Sequence, residues 1–107
     1  MAGRPKFAFL FAPEAVEHLN GIDRKYHRLL RRTIRDQLVR TPTEESRNRK
    51  PLEQPAPFAA SWELRCGPDN RFRVFYDVDS GLQTVSVLAV GVKDRSRLLI
   101  AGEEYHS

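Results

Sequence analysis

The 107-residue chain predicts an α+β fold: an N-terminal strand and a two-helix hairpin, then a three- or four-stranded antiparallel sheet with the helices over one face. Three observations carry that expectation. A short ring-rich run, Lys6 to Ala12, comes first. Two stretches with helical spacing follow. After them the spacing changes to strict alternation, in Trp62-Glu63-Leu64-Arg65-Cys66, Arg71-Phe72-Arg73-Val74-Phe75-Tyr76 and Val85-Ser86-Val87-Leu88-Ala89-Val90-Gly91. Strands gathered after the helices, rather than alternating with them, indicate α+β and not a parallel α/β sheet. The length suits one domain over residues 1–107, with a single modest core.

Lys6 to Ala12 reads as a first strand buried on both faces; its apolar run is too short for a signal segment and ends at Pro13-Glu14. Pro13 suits a first helical turn, where a missing N–H is harmless, and Glu14 favours the positive helix end. Ala15, Val16 and Leu19 share a face of this short helix, and Asn20-Gly21 stop it. Asp23 caps a second helix reaching about Arg40, with Tyr26, Leu30, Ile34 and Leu38 forming its apolar stripe. On another face of that helix, Arg28, Arg31, Arg32 and Arg35 form either a solvated surface or a stripe that contacts phosphate or a partner. Joined by a few residues, the two helices make an αα-hairpin.

Residues 44–61 contain Pro51, Pro55 and Pro57 without periodicity and are expected to be a loop, in which Arg47, Arg49 and Lys50 form either an electrostatic lip beside a groove or a merely solvated stretch. The alternation then fixes faces. Trp62, Leu64, Cys66, Phe72, Val74, Tyr76 and Val78 belong to the core face, with Leu64 expected opposite Phe72 and Arg65 opposite Arg71. Glu63, Arg65, Arg71, Arg73, Phe75 and Asp77 belong to the other, partly open and basic face. Ser80-Gly81 turns the chain into a strand whose Val85, Val87 and Ala89 rejoin the core face. Lys93 shares that inward phase, so it reaches the open face only through a bulge at Gly91 or a strand end. Leu98-Leu99-Ile100 fits a short helix or an edge strand.

Lys and Arg total 18 against 14 acidic residues, and arginine supplies 14 of the 18, a bias toward phosphate forks and base stacking. A single cysteine, Cys66, excludes an intrachain disulfide, and His18, His27 and His106 lack the spacing of a zinc site. No apolar run approaches the ~18 residues that span a membrane. A cytoplasmic protein with neither metal nor cofactor is expected.

In this order, the early strand ending at Pro13, the long helix ending at Thr41-Pro42, Leu64-Arg65, Arg71 to Val78, and Val87-Leu88-Ala89-Val90-Gly91 with its basic cluster resemble the RelE/ParE superfamily of bacterial type II toxins. The resemblance implies a toxin neutralised by a cognate antitoxin whose extended segment wraps it. RelE-like members cut mRNA on the ribosome without a metal, and this is the activity expected here; the alternatives are the poisoning of DNA gyrase by ParE-like members, and an inert member that only binds its antitoxin. For cleavage, Arg73 matches the arginine of the third-strand motif and Lys93 the basic residue after the glycine. Glu63, expected opposite Arg73, is either the base or a cross-strand ion-pair partner of Arg73. Tyr105 is the candidate C-terminal tyrosine, and Arg65, Arg71, Phe75, Arg95, Arg49 and Lys50 are the RNA contacts. Ser61 and Glu63 stand where nucleolytic members carry lysines.

Overall fold

A computed structural model describes residues 5–106. Its elements are β1 (Ala8–Phe11), α1 (Pro13–Asn20), a 3-10 turn (Arg24–Tyr26), α2 (His27–Leu38), β2 (Arg49–Pro51), β3 (Trp62–Cys66), β4 (Phe72–Asp79), β5 (Thr84–Asp94), β6 (Arg97–Ile100) and β7 (Glu103–Glu104). The strands form one sheet in the order β2-β3-β4-β5-β6-β7, all antiparallel, with β1 added parallel to β5. The α+β expectation holds, and the sheet is larger than the three or four strands expected.

β5 is the hub. Its inner edge pairs with β4 along its length, while its outer edge is shared. β1 takes Thr84–Val87 and β6 takes Val92–Asp94. Between these, α1 closes the gap, because His18 Nδ1 accepts the N–H of Val90 at 3.2 Å. A central strand cannot leave an N–H unpaired in the interior without cost, so this histidine completes the ladder where no strand runs. Burial pushes the His18 pKa below its ordinary value, against the opposing pull of Glu17 and Glu14.

The main core lies between the helices and the face formed by Leu64, Cys66, Phe72, Val74, Tyr76, Val85, Val87 and Val90, against Ala15, Leu30, Ile34 and Leu38. Fully burying each such side chain contributes about 1.5–3 kcal/mol. The spacing of Leu30, Ile34 and Leu38, read from the sequence, is the buried face of α2. Asp23 accepts the N–H of Lys25 and so caps the 3-10 turn that leads into α2. Tyr76 is buried but satisfied: its hydroxyl donates to the carbonyl of Pro42 at 2.8 Å, and its ring lies beside Trp62.

Several expectations are corrected. β1 is half exposed, with Leu10 59% and Phe11 37% accessible, because it pairs on one side only, with β5. Segment 44–61 is not wholly loop, since Arg49–Pro51 pairs with Trp62–Leu64 as β2. The β3–β4 register is offset by two residues: Leu64 faces Val74, Arg65 faces Arg73 and Cys66 faces Phe72. A two-residue offset preserves parity, so the face assignments for β3 and for Phe72, Val74 and Tyr76 survive. The second sheet face, in contrast, is partly open as expected. Ala60, Phe75 and Ala89 form a separate buried cluster there, covered by Leu52, Phe58, Leu88, Leu98 and Ile100.

Candidate functional site

The uncovered end of that second face holds the charged residues. Arg65 of β3, Arg73 of β4 and Gly91 of β5 lie in one row across three strands. Two arginines directly opposite one another oppose pairing. Glu63, one pleat along β3, offsets this: its Oε1 is 3.2 Å from Arg65 Nε and 3.9 Å from Arg73 Nε. The side chains of Glu63 and Arg73 are each only 13% exposed, while Arg65 is 39% exposed. Arg73 also donates through a terminal nitrogen to the carbonyl of Asn70. Burial lowers the Arg73 pKa, Glu63 raises it, Arg65 lowers it and Cys66 raises it. A guanidinium keeps its charge throughout. Lys50 stands opposite Glu63 on β2 and is exposed.

Lys93 joins this face through an irregularity that alternation did not reveal. Phe75 pairs with Ala89 and the adjacent Tyr76 pairs with Val87, so Leu88 is an extra residue on β5. Such a bulge reverses the strand's phase. Ala89, Gly91 and Lys93 are thereby placed on the face of Phe75 and Arg73, while Val90 and Val92 turn to the helices. The bulge is at Leu88 rather than Gly91, and Ala89 leaves the core face to which alternation assigned it. Gly91 has a separate constraint. A Cβ there would lie 2.7 Å from Ile100 Cδ1 and 2.8 Å from Leu98 Cδ1.

The other candidate residues do not add exposed groups to the cluster: Phe75 lies directly opposite Glu63 but is covered, and the rest lie elsewhere or hold contacts of their own. Phe75, expected to be an exposed stacking ring, is 1% accessible beneath the cover formed by Phe58. Arg49, expected as a solvent-facing lip, binds the end of α2. It donates to Gln37 O at 2.8 Å, Thr41 O at 2.6 Å and Thr41 Oγ1 at 2.9 Å, meeting carbonyls that a helix terminus leaves unpaired. Arg71 precedes β4 and turns to the helix side, 3.3 Å from the Tyr26 hydroxyl, and not opposite Arg65. Arg95 sits in the β5–β6 turn at φ 58°, exposed. Tyr105 stacks on Phe58 with ring centroids 5.1 Å apart. Among the described residues, no group of three or more His, Cys, Asp or Glu side chains is gathered to hold a metal ion. No helix among them is long and apolar enough to cross a membrane.

A second surface escaped the sequence reading. Phe9, Phe11, Val16, Leu19 and Ile34 line an apolar groove of about 440 Å³ between β1 and the two helices, with Arg31 and Arg35 on its rim. Val16 and Leu19 were visible as one helix face. The inference that β1 is buried on both sides concealed the other wall.

This arrangement, a small sheet carrying an early parallel strand and two helices on one face, is the fold of the RelE/ParE-like toxins. The structure superposes on a toxin-antitoxin complex, RelBE2 from Mycobacterium tuberculosis, with a TM-score of 0.69 and 22% identity, over 87% of this chain and 98% of that one. The family model described as the ParE toxin of the type II toxin-antitoxin system, parDE, matches residues 9–97. The chain therefore belongs to the ParE toxin family, within the RelE/ParE superfamily that its motifs resemble. Among curated proteins no significant sequence match is found.

Proposed function

We propose that this type II toxin arrests growth by binding DNA gyrase rather than by cutting RNA. The observation that carries the reading is the position of Glu63. Metal-independent RNA cleavage needs cations free to stabilise the developing phosphorane, together with groups that move protons. Here the two central cations, Arg65 and Arg73, already share one largely buried carboxylate, and Arg73 is further committed to Asn70 O. Phe75 is unavailable for stacking, and Tyr105 is engaged with Phe58. The ParE family membership points the same way.

A second reading, ribosome-associated mRNA endonuclease, is favoured by one feature, the bulge that puts Lys93 on the face of Arg73 and Glu63. In it Arg73 and Lys93 hold the phosphate and Glu63 takes the 2′-hydroxyl proton. Induction of the toxin alone, with growth, plasmid supercoiling and transcript ends followed together, separates the two. Arrest with loss of supercoiling and unaltered transcripts is expected. New codon-positioned RNA ends that disappear in Arg73→Ala would establish the nuclease instead.

The partner in either case is a cognate antitoxin. The apolar groove of Phe9, Phe11, Val16, Leu19 and Ile34 is the surface suited to its apolar residues, and Arg31 and Arg35 are placed to meet its acidic ones.

A further inference from the structure

The outer face of α2 and the turn before it carries Arg24, Arg28, Arg31, Arg32 and Arg35, all exposed, with no acidic residue from position 24 to position 35. Together with His27 they line one shallow basic cleft of about 530 Å³. Among the described residues, the one ion pair made by any of these arginines is that of Arg35 Nε with Asp36 Oδ1, 3.7 Å away at the end of the helix. His27 is otherwise engaged, its Nε2 2.6 Å from Ile22 O. Arg24 and Arg28, Arg28 and Arg32, and Arg31 and Arg35 are like charges one turn apart, an arrangement that opposes the helix. Ordinary solvated helices intersperse both signs. Among the described residues, no carboxylate other than Asp36 pairs with this column.

We infer that the column is a docking face for the phosphate backbone of a nucleic-acid duplex, separate from the Glu63–Arg65–Arg73 cluster on the other side of the sheet. No apolar side chain lines the cleft, which tells against an ordinary protein contact, whose centre is apolar or aromatic. The lining also disfavours a single strand, which such surfaces hold by stacking bases on rings. The ring of His27 is held to Ile22 O, and that of Tyr26 packs edge-on against Phe72. Arginine forks suit phosphate oxygens. The column runs roughly 16 Å along the helix, enough for several phosphates of a duplex that presents one charge per about 1.7 Å of axis. The inference stands whether the toxin's target is gyrase or mRNA.

The test uses the full chain, fluorescently labelled 20-base-pair DNA and RNA duplexes, the corresponding single strands, and a poly-glutamate peptide as competitor. Affinity is measured from 50 to 200 mM salt for the wild type, for Arg24→Gln/Arg28→Gln/Arg32→Gln, for the same three positions changed to Lys, and for Arg73→Gln/Lys93→Gln. The glutamine variant leaves the groove-lining Arg31 and Arg35 in place, and circular dichroism checks its fold. Between those salt concentrations the wild type should lose about 40-fold more duplex affinity than the glutamine variant, the salt dependence of three phosphate contacts. The lysine variant should keep most of the slope, and single strands should bind more weakly. Equal affinity and slope in the glutamine variant would overturn the proposal. So would loss of binding only in Arg73→Gln/Lys93→Gln, tighter binding of single strands than of duplexes, displacement of the duplex by poly-glutamate at comparable charge concentration, or no duplex binding at 50 mM salt.

Discussion

Glu63 decides what the cationic row can do. It is the one carboxylate among Arg65, Arg73 and Lys93 on that face, and it lies within ion-pair reach of both arginines. Replacing it by glutamine keeps the shape and removes the charge. Glu63→Gln is expected to destabilise the fold by ~1–3 kcal/mol, because the nearly buried Arg73 loses its counter-charge. The same change should raise affinity for a short RNA by roughly tenfold, equivalent to ~1.4 kcal/mol, because two guanidinium groups become available to phosphate. Thermal melts and fluorescence anisotropy measure the two effects. Tighter RNA binding that is still without cleavage agrees with the gyrase reading. Cleavage that falls while binding rises identifies Glu63 as the base. Nearby Cys66 takes no part: burial pushes its thiol up to about 11, against the opposing effect of Arg73.

At the scale of elements, β5 depends on two local devices. The first is the close approach of β6 to Gly91, with Leu98 and Ile100 methyls where a Cβ would stand. Gly91→Ala overpacks this contact and should cost about 1–3 kcal/mol, lowering Tm by several degrees in a domain of this size. The second is the bond from Val90 N–H to His18 Nδ1, which requires a neutral ring. The native pKa of His18 lies below its ordinary value of 6.5, so the unfolded chain binds the proton more readily. Stability is therefore full above the unfolded value and is lost as pH falls through the folded one. Denaturation midpoints measured from pH 7.5 to 5 should show this loss. His18→Gln, which can still accept the N–H, should flatten that part of the profile.

The same two elements explain what was legible in the chain. Alternation revealed the faces of β3 and β4 because inward and outward residues differ sharply in polarity, and a two-residue slip leaves those faces unchanged. It did not reveal the bulge, because Leu88, Ala89 and Val90 are all apolar and carry no sign of a phase change. Phe75 was misplaced for a related reason. Its cover, Phe58, lies in an aperiodic proline-rich segment whose path depends on tertiary contacts. The charged row was legible as types and spacing, but the sharing of Glu63 between Arg65 and Arg73 depends on the true register.

On the scale of the whole molecule, charge and apolar surface are segregated. The second sheet face carries the Glu63–Arg65–Arg73 row, the outer face of α2 carries an uncompensated arginine column, and the apolar groove lies between β1 and the helices with Arg31 and Arg35 at its border. If the antitoxin docks in this groove, as proposed, Phe11 and Val16 are among the side chains it covers. Phe11 and Val16 are 37% and 43% exposed, so altering them changes the surface more than the core. Phe11→Asp/Val16→Asp is therefore expected to remain folded and toxic while escaping its antitoxin. A buried charge and two lost anchors should weaken the complex by at least ~2 kcal/mol, about 30-fold. Co-expression with the cognate antitoxin is the direct measurement: the wild-type pair should grow and the double variant should arrest. If the double variant is still neutralised with unchanged affinity, the antitoxin docks elsewhere, and the groove is not the surface that restrains this toxin.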